Sequence, residues 1–398
     1  MKSIMLIVLV SCAAWGAVIF NGAGFSHPDD MAAALAWNGD RPLTSATYRM
    51  NIAAGGGWMV VNLVLHVISS ILLYMFSGSL AAACLFAAHP MAGDAVASVA
   101  GRSSLLFAVL ALGACLALKN GKWVYCALAA GAAFFVRQDA VNLLVILPAL
   151  AWISGMRRAA AIIGLAAPAR ARCQWSAYAW QADVAGAVPE LVAAGMPSSP
   201  PPLGHAAAYA GAVFGYALPR MIAPVDLSAD PDAKFDFALA LSAMLAAAML
   251  WRKYSIIGAV IAACALAPYA LAPLTDVFLE HRAYLAIAGV MMAFGASLRR
   301  GAAIVFVCLF LVMANFRAAA YATPVSLWED AAWKNPGALR PRVNLGAAYA
   351  AAGRDGEAER EFMAAHLMRP DMQMVRNNIM ILRARRGDIA GASRILDE

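Results

Sequence analysis

Charge is what this sequence has least of. Only 13% of its 398 residues are Asp, Glu, Lys or Arg, and mean hydropathy is +0.69. Soluble domains carry about 25% charged residues, so an ordinary water-exposed globule is excluded. Acidic residues are the scarcer sign, 23 against 30 Lys and Arg. The resulting +7 is not a nucleic-acid signal, because much of it sits as short basic clusters between apolar segments. That is the pattern that orients membrane proteins. There is no CxxC: Cys12, Cys84, Cys115, Cys126, Cys264 and Cys308 lie in apolar runs, and Cys173 alone lies in a loop. A disulfide framework and a cysteine metal site are thereby excluded. No P-loop or G-x-G-x-x-G pattern cradles a soluble nucleotide.

What the chain does have is apolar length. A span needs roughly 20 mostly apolar residues. Candidates are 4–20, 58–76, 79–92, 103–118, 122–136, 140–156, 158–168, 205–221, 236–252, 255–273, 284–298 and 301–320. The first starts at Lys2 as a secretory signal does, but further spans follow at once and no clean small-residue cleavage site stands out. Placing Lys2, Lys119/Lys122, Arg157/Arg158, Arg252/Lys253 and Arg299/Arg300 on the cytoplasmic side gives about eleven spans, if 205–221 is interfacial or re-entrant. The N-terminus is then inside. The segments 21–57, 94–102, 169–204 and 275–282, and the C-terminal part, are outside.

Charged residues become dense past residue 330, which sets a boundary near 321. The tail repeats internally. Asn344-Leu345-Gly346, Tyr349, Gly353, Ala358, Phe362, Ala365 and Pro370 fit one 34-residue unit begun at Leu339. A second copy starts at Gln373, with Asn378, Ile379, Gly387, Ala392 and Leu396 in register. Trp328, Ala331 and Pro336 form half a copy before the first. Small residues where helices touch, large ones in the gap and Pro at the end make the tetratricopeptide pattern. At about two and a half units the array is short, and the last membrane helix or a partner is expected to support its open end.

Ionisable residues inside or beside spans are functional candidates by default. Asp29-Asp30 in the first external loop suit a general base or a cation site, or equally an Asp helix cap before 31–37. Arg41, in Arg41-Pro42-Leu43-Thr44, suits a lipid phosphate or a snorkelling anchor. Asn62 and His66 are four apart on one helix face, where an interhelical hydrogen bond competes with a functional role. His89-Pro90 leads to Asp94 and Gly101-Arg102. Arg137-Gln138-Asp139 and Glu280-His281-Arg282-x-Tyr284 stand at external helix ends. External Arg runs against the positive-inside rule, which favours convergence of Arg102, Arg137 and Arg282 on a phosphate over plain interface anchoring. Glu280 is expected to hold Arg282 in place.

In this order the motifs resemble the transmembrane and tetratricopeptide-repeat O-mannosyltransferase family and its bacterial relatives, among the GT-C glycosyltransferases. Leu218-Pro219 with Leu227-Ser228, Ala95-Val96-Ala97-Ser98 and the tetratricopeptide tail complete the series. Arg137-Gln138 departs from the family's Lys-Glu pair, and the repeat array is shorter. The resemblance implies an all-α polytopic GT-C-like domain over 1–320, followed by a repeat domain over 321–398. It also implies a membrane glycosyltransferase that takes its sugar from a polyprenyl-phosphate donor, with an Asp of the first external loop as base. Its acceptor is a hydroxyl of an extracytoplasmic protein or glycan, with the repeats as the acceptor-binding surface. Asp29 and Asp30 are the catalytic candidates, and Arg102, Arg137 and Arg282 the donor-phosphate candidates. Arg41, Asn62, His66, His89, Glu280 and His281 are supporting residues. No metal site is assigned, although a divalent cation is compatible with Asp29-Asp30. The expected location is a bacterial inner membrane. Two other classes compete: a transporter, whose inverted halves the sequence lacks, and a non-catalytic scaffold recruiting partners through its repeats.

Overall fold

The structure, a computed structural model, describes residues 1–20, 41–156, 209–230, 253–271 and 279–397. Those described residues form helices and no strands. Three helices among them, Trp58–Ser77, Arg102–Lys119 and Arg300–Ala320, are long and apolar enough to cross a membrane. The outward faces are apolar too: Val60, Val64 and Ile68 on the first, and Ile304, Leu309, Val312 and Phe316 on the last, are exposed. A helix apolar all round belongs in protein or in lipid. Lys2–Trp15, Trp123–Ala133, Ala140–Ile153 and Ile256–Ala267 are shorter apolar helices. The expected spans 158–168 and 236–252 lie outside the described residues.

The expected span 79–92 is not one helix. Helix Leu80–Ala88 stops at His89 and continues as a 3₁₀ turn, Pro90–Ala92, and a short helix, Gly93–Val96. Pro90 has no N–H to extend the helix, and it holds His89 extended (φ −69°, ψ 120°). This broken element is the centre of the bundle. Residues 82–90 are all buried, and helices Lys2–Trp15, Trp58–Ser77, Tyr284–Gly295 and Arg300–Ala320 pack around it. Its many alanines let several helices approach one axis, as membrane bundles require. The same rule governs the crossing of Lys253–Leu271 over Tyr284–Gly295. A Cβ on Gly258 would stand 2.3 Å from the Gly289 carbonyl oxygen, so only glycine fits. The expected interfacial piece 205–221 is described from Tyr209. It winds through a wide π-helical turn, Ala212–Ala217, into Leu218–Ile222, because Pro219 cannot supply the next helical N–H.

Polar contacts between helix ends sort those ends into two groups; Trp58–Ser77 and Arg102–Lys119, for instance, run parallel and meet at both ends. Lys119, whose Nζ donates to the Phe76 carbonyl (2.6 Å), marks one end. Arg102, Arg137, the 280–283 turn and Arg317 mark the other.

Past Tyr321 the chain enters helix Pro324–Lys334, opened by a Thr323–Ser326 capping box. Helices Leu339–Ala351 and Asp355–Met368 are then matched by Gln373–Arg385 and Ile389–Asp397. Starts at 339 and 373, and at 355 and 389, are each 34 residues apart. So are Gly353 (φ +73°) and Gly387 (φ +81°), which take the left-handed conformation between paired helices. Gly346 admits the ring of Phe362, which a Cβ would meet at 2.8 Å.

Candidate functional site

At the end marked by Arg102, the polar residues form three connected groups. Arg102 itself is fully buried. Its Nε donates to Asn62 Oδ1 (2.9 Å), Nη1 to Asn51 Oδ1 and the Thr47 carbonyl (3.3 Å), and Nη2 to the Trp58 carbonyl (2.8 Å). The rings of Tyr48 and Trp58 lie 5.1 and 5.5 Å from the guanidinium. Asn62 in turn donates to the Val96 and Ser98 carbonyls. Arg102 is therefore a strut joining Pro42–Ala53, Trp58–Ser77 and the broken element. Its fork is spent on the protein, which removes it from the donor-phosphate set the sequence suggested.

Arg137 is placed differently. It sits in extended backbone (φ −149°, ψ 148°) before the 3₁₀ turn Gln138–Asn142. The 41–44 motif pins the chain just before it: Leu43 N–H donates to the Phe135 carbonyl (3.1 Å) and Thr44 Oγ1 to the Val136 carbonyl (3.1 Å). Arg41 itself is half-buried. Arg137 Nη1 donates to the hydroxyls of Ser103 (3.4 Å) and Ser104 on the first turn of Arg102–Lys119. A narrow pocket opens here, lined by Ser104, Arg137, His281, Arg282 and Tyr284 with Phe107, Ala265 and Leu285. Two of the three arginines proposed from sequence thus share one pocket. A guanidinium pair with a hydroxyl and an imidazole is a donor-rich lining suited to an anion.

The 280–283 turn supplies the third group. Asp94, buried at the start of Gly93–Val96, accepts from the His281 backbone N–H (3.0 Å) and from Nδ1–H of its ring (2.7 Å). Glu280 does not hold Arg282. It turns the other way and binds Arg317 (2.9 Å), while the Tyr216 hydroxyl (2.9 Å) and Ser228 N–H (3.2 Å) donate to its second oxygen. Arg317 also reaches Asp330 (3.3 Å) and the Leu227 carbonyl (3.0 Å); Lys334 binds Asp330 as well. Burial pushes the Glu280 carboxyl above the ordinary range, against the lowering pull of Arg317. These four charges sum to zero in a largely buried cluster. They tie the end of Arg300–Ala320 and the 280 turn to helix Pro324–Lys334.

His66 and His89 are also structural. His66 Nε2 lies 3.0 Å from the Ala87 carbonyl, which requires it to donate; Nδ1 then accepts from the Tyr284 hydroxyl (2.6 Å). His89 repeats the arrangement, with Nε2 on the Met221 carbonyl (2.9 Å) and Nδ1 accepting Met91 N–H (3.2 Å). Both rings hold one neutral tautomer and brace the break in the central element. Asp29 and Asp30 lie outside the described residues. Among the described residues, no three His, Cys, Asp or Glu side chains group as a metal site. Sequence reasoning passes over Asp94 and Arg317 as site residues. Arg317 has a signal, since it is a lone charge closing an apolar 21-residue helix. Asp94 has none beyond following His89-Pro90.

No family model and no solved structure matches the chain. A curated relative does in part. Protein O-mannosyl-transferase Tmtc1 of Drosophila melanogaster is 32% identical over 125 residues, 27% of this chain and 15% of that protein. The chain thus aligns with less than a fifth of that relative's length. The likeness is to part of a transferase, in a chain whose described residues include three helices long and apolar enough to cross a membrane.

Proposed function

We propose that the protein is a GT-C-type glycosyltransferase of about eleven spans that moves a sugar from a polyprenyl-phosphate donor to an acceptor hydroxyl outside the cytoplasm. The observation that carries this reading is the pocket shared by Arg137, Arg282, Ser104 and His281, in a chain partly similar to an O-mannosyl-transferase. A guanidinium fork donates two parallel hydrogen bonds to phosphate oxygens. When the sugar C1–O bond breaks, its electron pair stays on the phosphate oxygen. A fixed Arg then stabilises the transition state more than the ground state. The acceptor hydroxyl attacks C1 and loses its proton to a carboxylate, the role proposed for Asp29 or Asp30. Segment 321–398, with its 34-residue helix spacing, serves as a tetratricopeptide-type surface for a protein acceptor. The basic clusters favour an N-terminus in the cytoplasm and this module outside, and a bacterial inner membrane is the proposed location.

The test is sugar transfer by correctly inserted variants. Asp29→Asn or Asp30→Asn, whichever removes the base, lowers turnover about 10²–10⁴-fold. Arg282→Lys keeps charge but loses the fork and lowers turnover; Arg282→Ala lowers it further. Near-normal turnover in both Asp variants would remove the base assignment. Full activity of Arg282→Ala would end the phosphate assignment.

A further inference from the structure

We infer that His281, oriented by Asp94, is a third phosphate-contacting group of the pocket, donating from Nε2 to the phosphate of the bound ligand. This rests on the phosphate reading of the Arg137–Arg282 pocket and adds a residue of different chemistry to it. Asp94 is the positioning residue. It takes both the backbone N–H and Nδ1–H of His281, so ring position and tautomer are fixed together. Nδ1 is spent, and Nε2 is the nitrogen left for a ligand in the pocket that His281 lines. The His281 side chain keeps 20% of its surface open, whereas Asp94 keeps 5%.

The support behind the dyad is rigid. A Cβ on Gly93 would stand 3.0 Å from Arg317 Cγ and 3.2 Å from the Trp15 ring, and one on Gly101 2.6 Å from the Asp94 carbonyl oxygen. Asp94 is thus packed from both flanks. Such fixing is more than a surface ion pair receives, and it is what a ligand-contacting imidazole needs. Among the described residues, the charged groups about the ring are Asp94, Arg137 and Arg282; Glu280 on the same turn is engaged by Arg317, Tyr284 contributes a phenol bound to His66, and Ala265 comes from helix Lys253–Leu271. With Nδ1–H held by Asp94, the ring can add a directed donor at Nε2 to the two guanidinium forks.

The probe is a polyprenyl monophosphate, titrated into the full chain in nanodiscs beside the matching polyprenol and inorganic phosphate. His281→Asn keeps a nitrogen donor toward Asp94 but has nothing at the Nε2 position, so the fold's own hydrogen bond survives. It should weaken polyprenyl-phosphate binding about 10- to 100-fold, the effect of removing one charged hydrogen bond, and leave polyprenol binding unchanged. His281→Gln restores a neutral donor near Nε2 and should recover part of the loss. Inorganic phosphate binding with the same dependence on His281 would support the phosphate contact and assign it to free phosphate instead of a lipid headgroup. Wild-type affinity of both His281 variants, while Arg282→Ala loses binding, would overturn the inference and leave the pocket reading standing. Retained binding in Arg137→Ala and Arg282→Ala would instead defeat the pocket reading.

Discussion

Arg102 and Arg282 are one residue type given two jobs: Arg102 is a strut, and Arg282 is proposed to hold phosphate. The guanidinium of Arg102 is engaged by protein on every nitrogen, so its loss is a folding defect. Arg102→Ala orphans the Asn62 and Asn51 side-chain oxygens and the Trp58 carbonyl. At about 1–3 kcal/mol for each buried polar group left unsatisfied, the expected cost is several kcal/mol. Thermal unfolding in detergent checks this: Arg102→Ala should lower the midpoint markedly. The sequence shows both arginines at external helix ends and does not separate them. The strut role of Arg102 shows only in space, in its partners Asn62 and Asn51, 40 and 51 residues away. The pairing of Glu280 is hidden for the same reason. Arg282 lies two positions on, but the partner in space is Arg317, 37 residues away on another helix. Asp29 and Asp30, legible as a motif, lie outside the described residues.

Elements carry information at two ranges. Local signals are readable: Pro90 after a run of alanines, the glycines of the turns at 353 and 387, and the 34-residue spacing of helix starts. Long-range ones are not. Apolar content over 79–92 suggests one span, because hydropathy counts side chains and does not see that Pro90 ends the helix. The joint between bundle and repeats depends on Glu280, Arg317, Asp330 and Lys334, residues from three elements. Removing one partner of a buried pair costs about 3–5 kcal/mol, whereas replacing both with apolar groups is often nearly neutral. Arg317→Met alone should therefore destabilise strongly, and Arg317→Met with Glu280→Leu should cost less than the two singles added. Additive losses in unfolding experiments would show that the two side chains are not coupled.

For the whole molecule, the polar groups that matter gather at one end, and the repeat helices start from that same end through Asp330 and Lys334. In the proposed reading, the donor site and the acceptor surface lie on that same side. Reporters fused within and after the 321–398 segment should be active only outside the cytoplasm; activity there of a cytoplasm-restricted reporter would reverse the orientation. Glycosyl transfer from a membrane-borne phosphate is tested most directly by supplying the purified, membrane-embedded chain with a polyprenyl-phosphate sugar or a nucleotide sugar, beside acceptor proteins. Labelled sugar should pass to acceptor from the lipid donor alone, and Arg282→Ala should abolish most of that transfer. Transfer from the nucleotide sugar alone, or equal transfer by wild type and Arg282→Ala, would contradict the account.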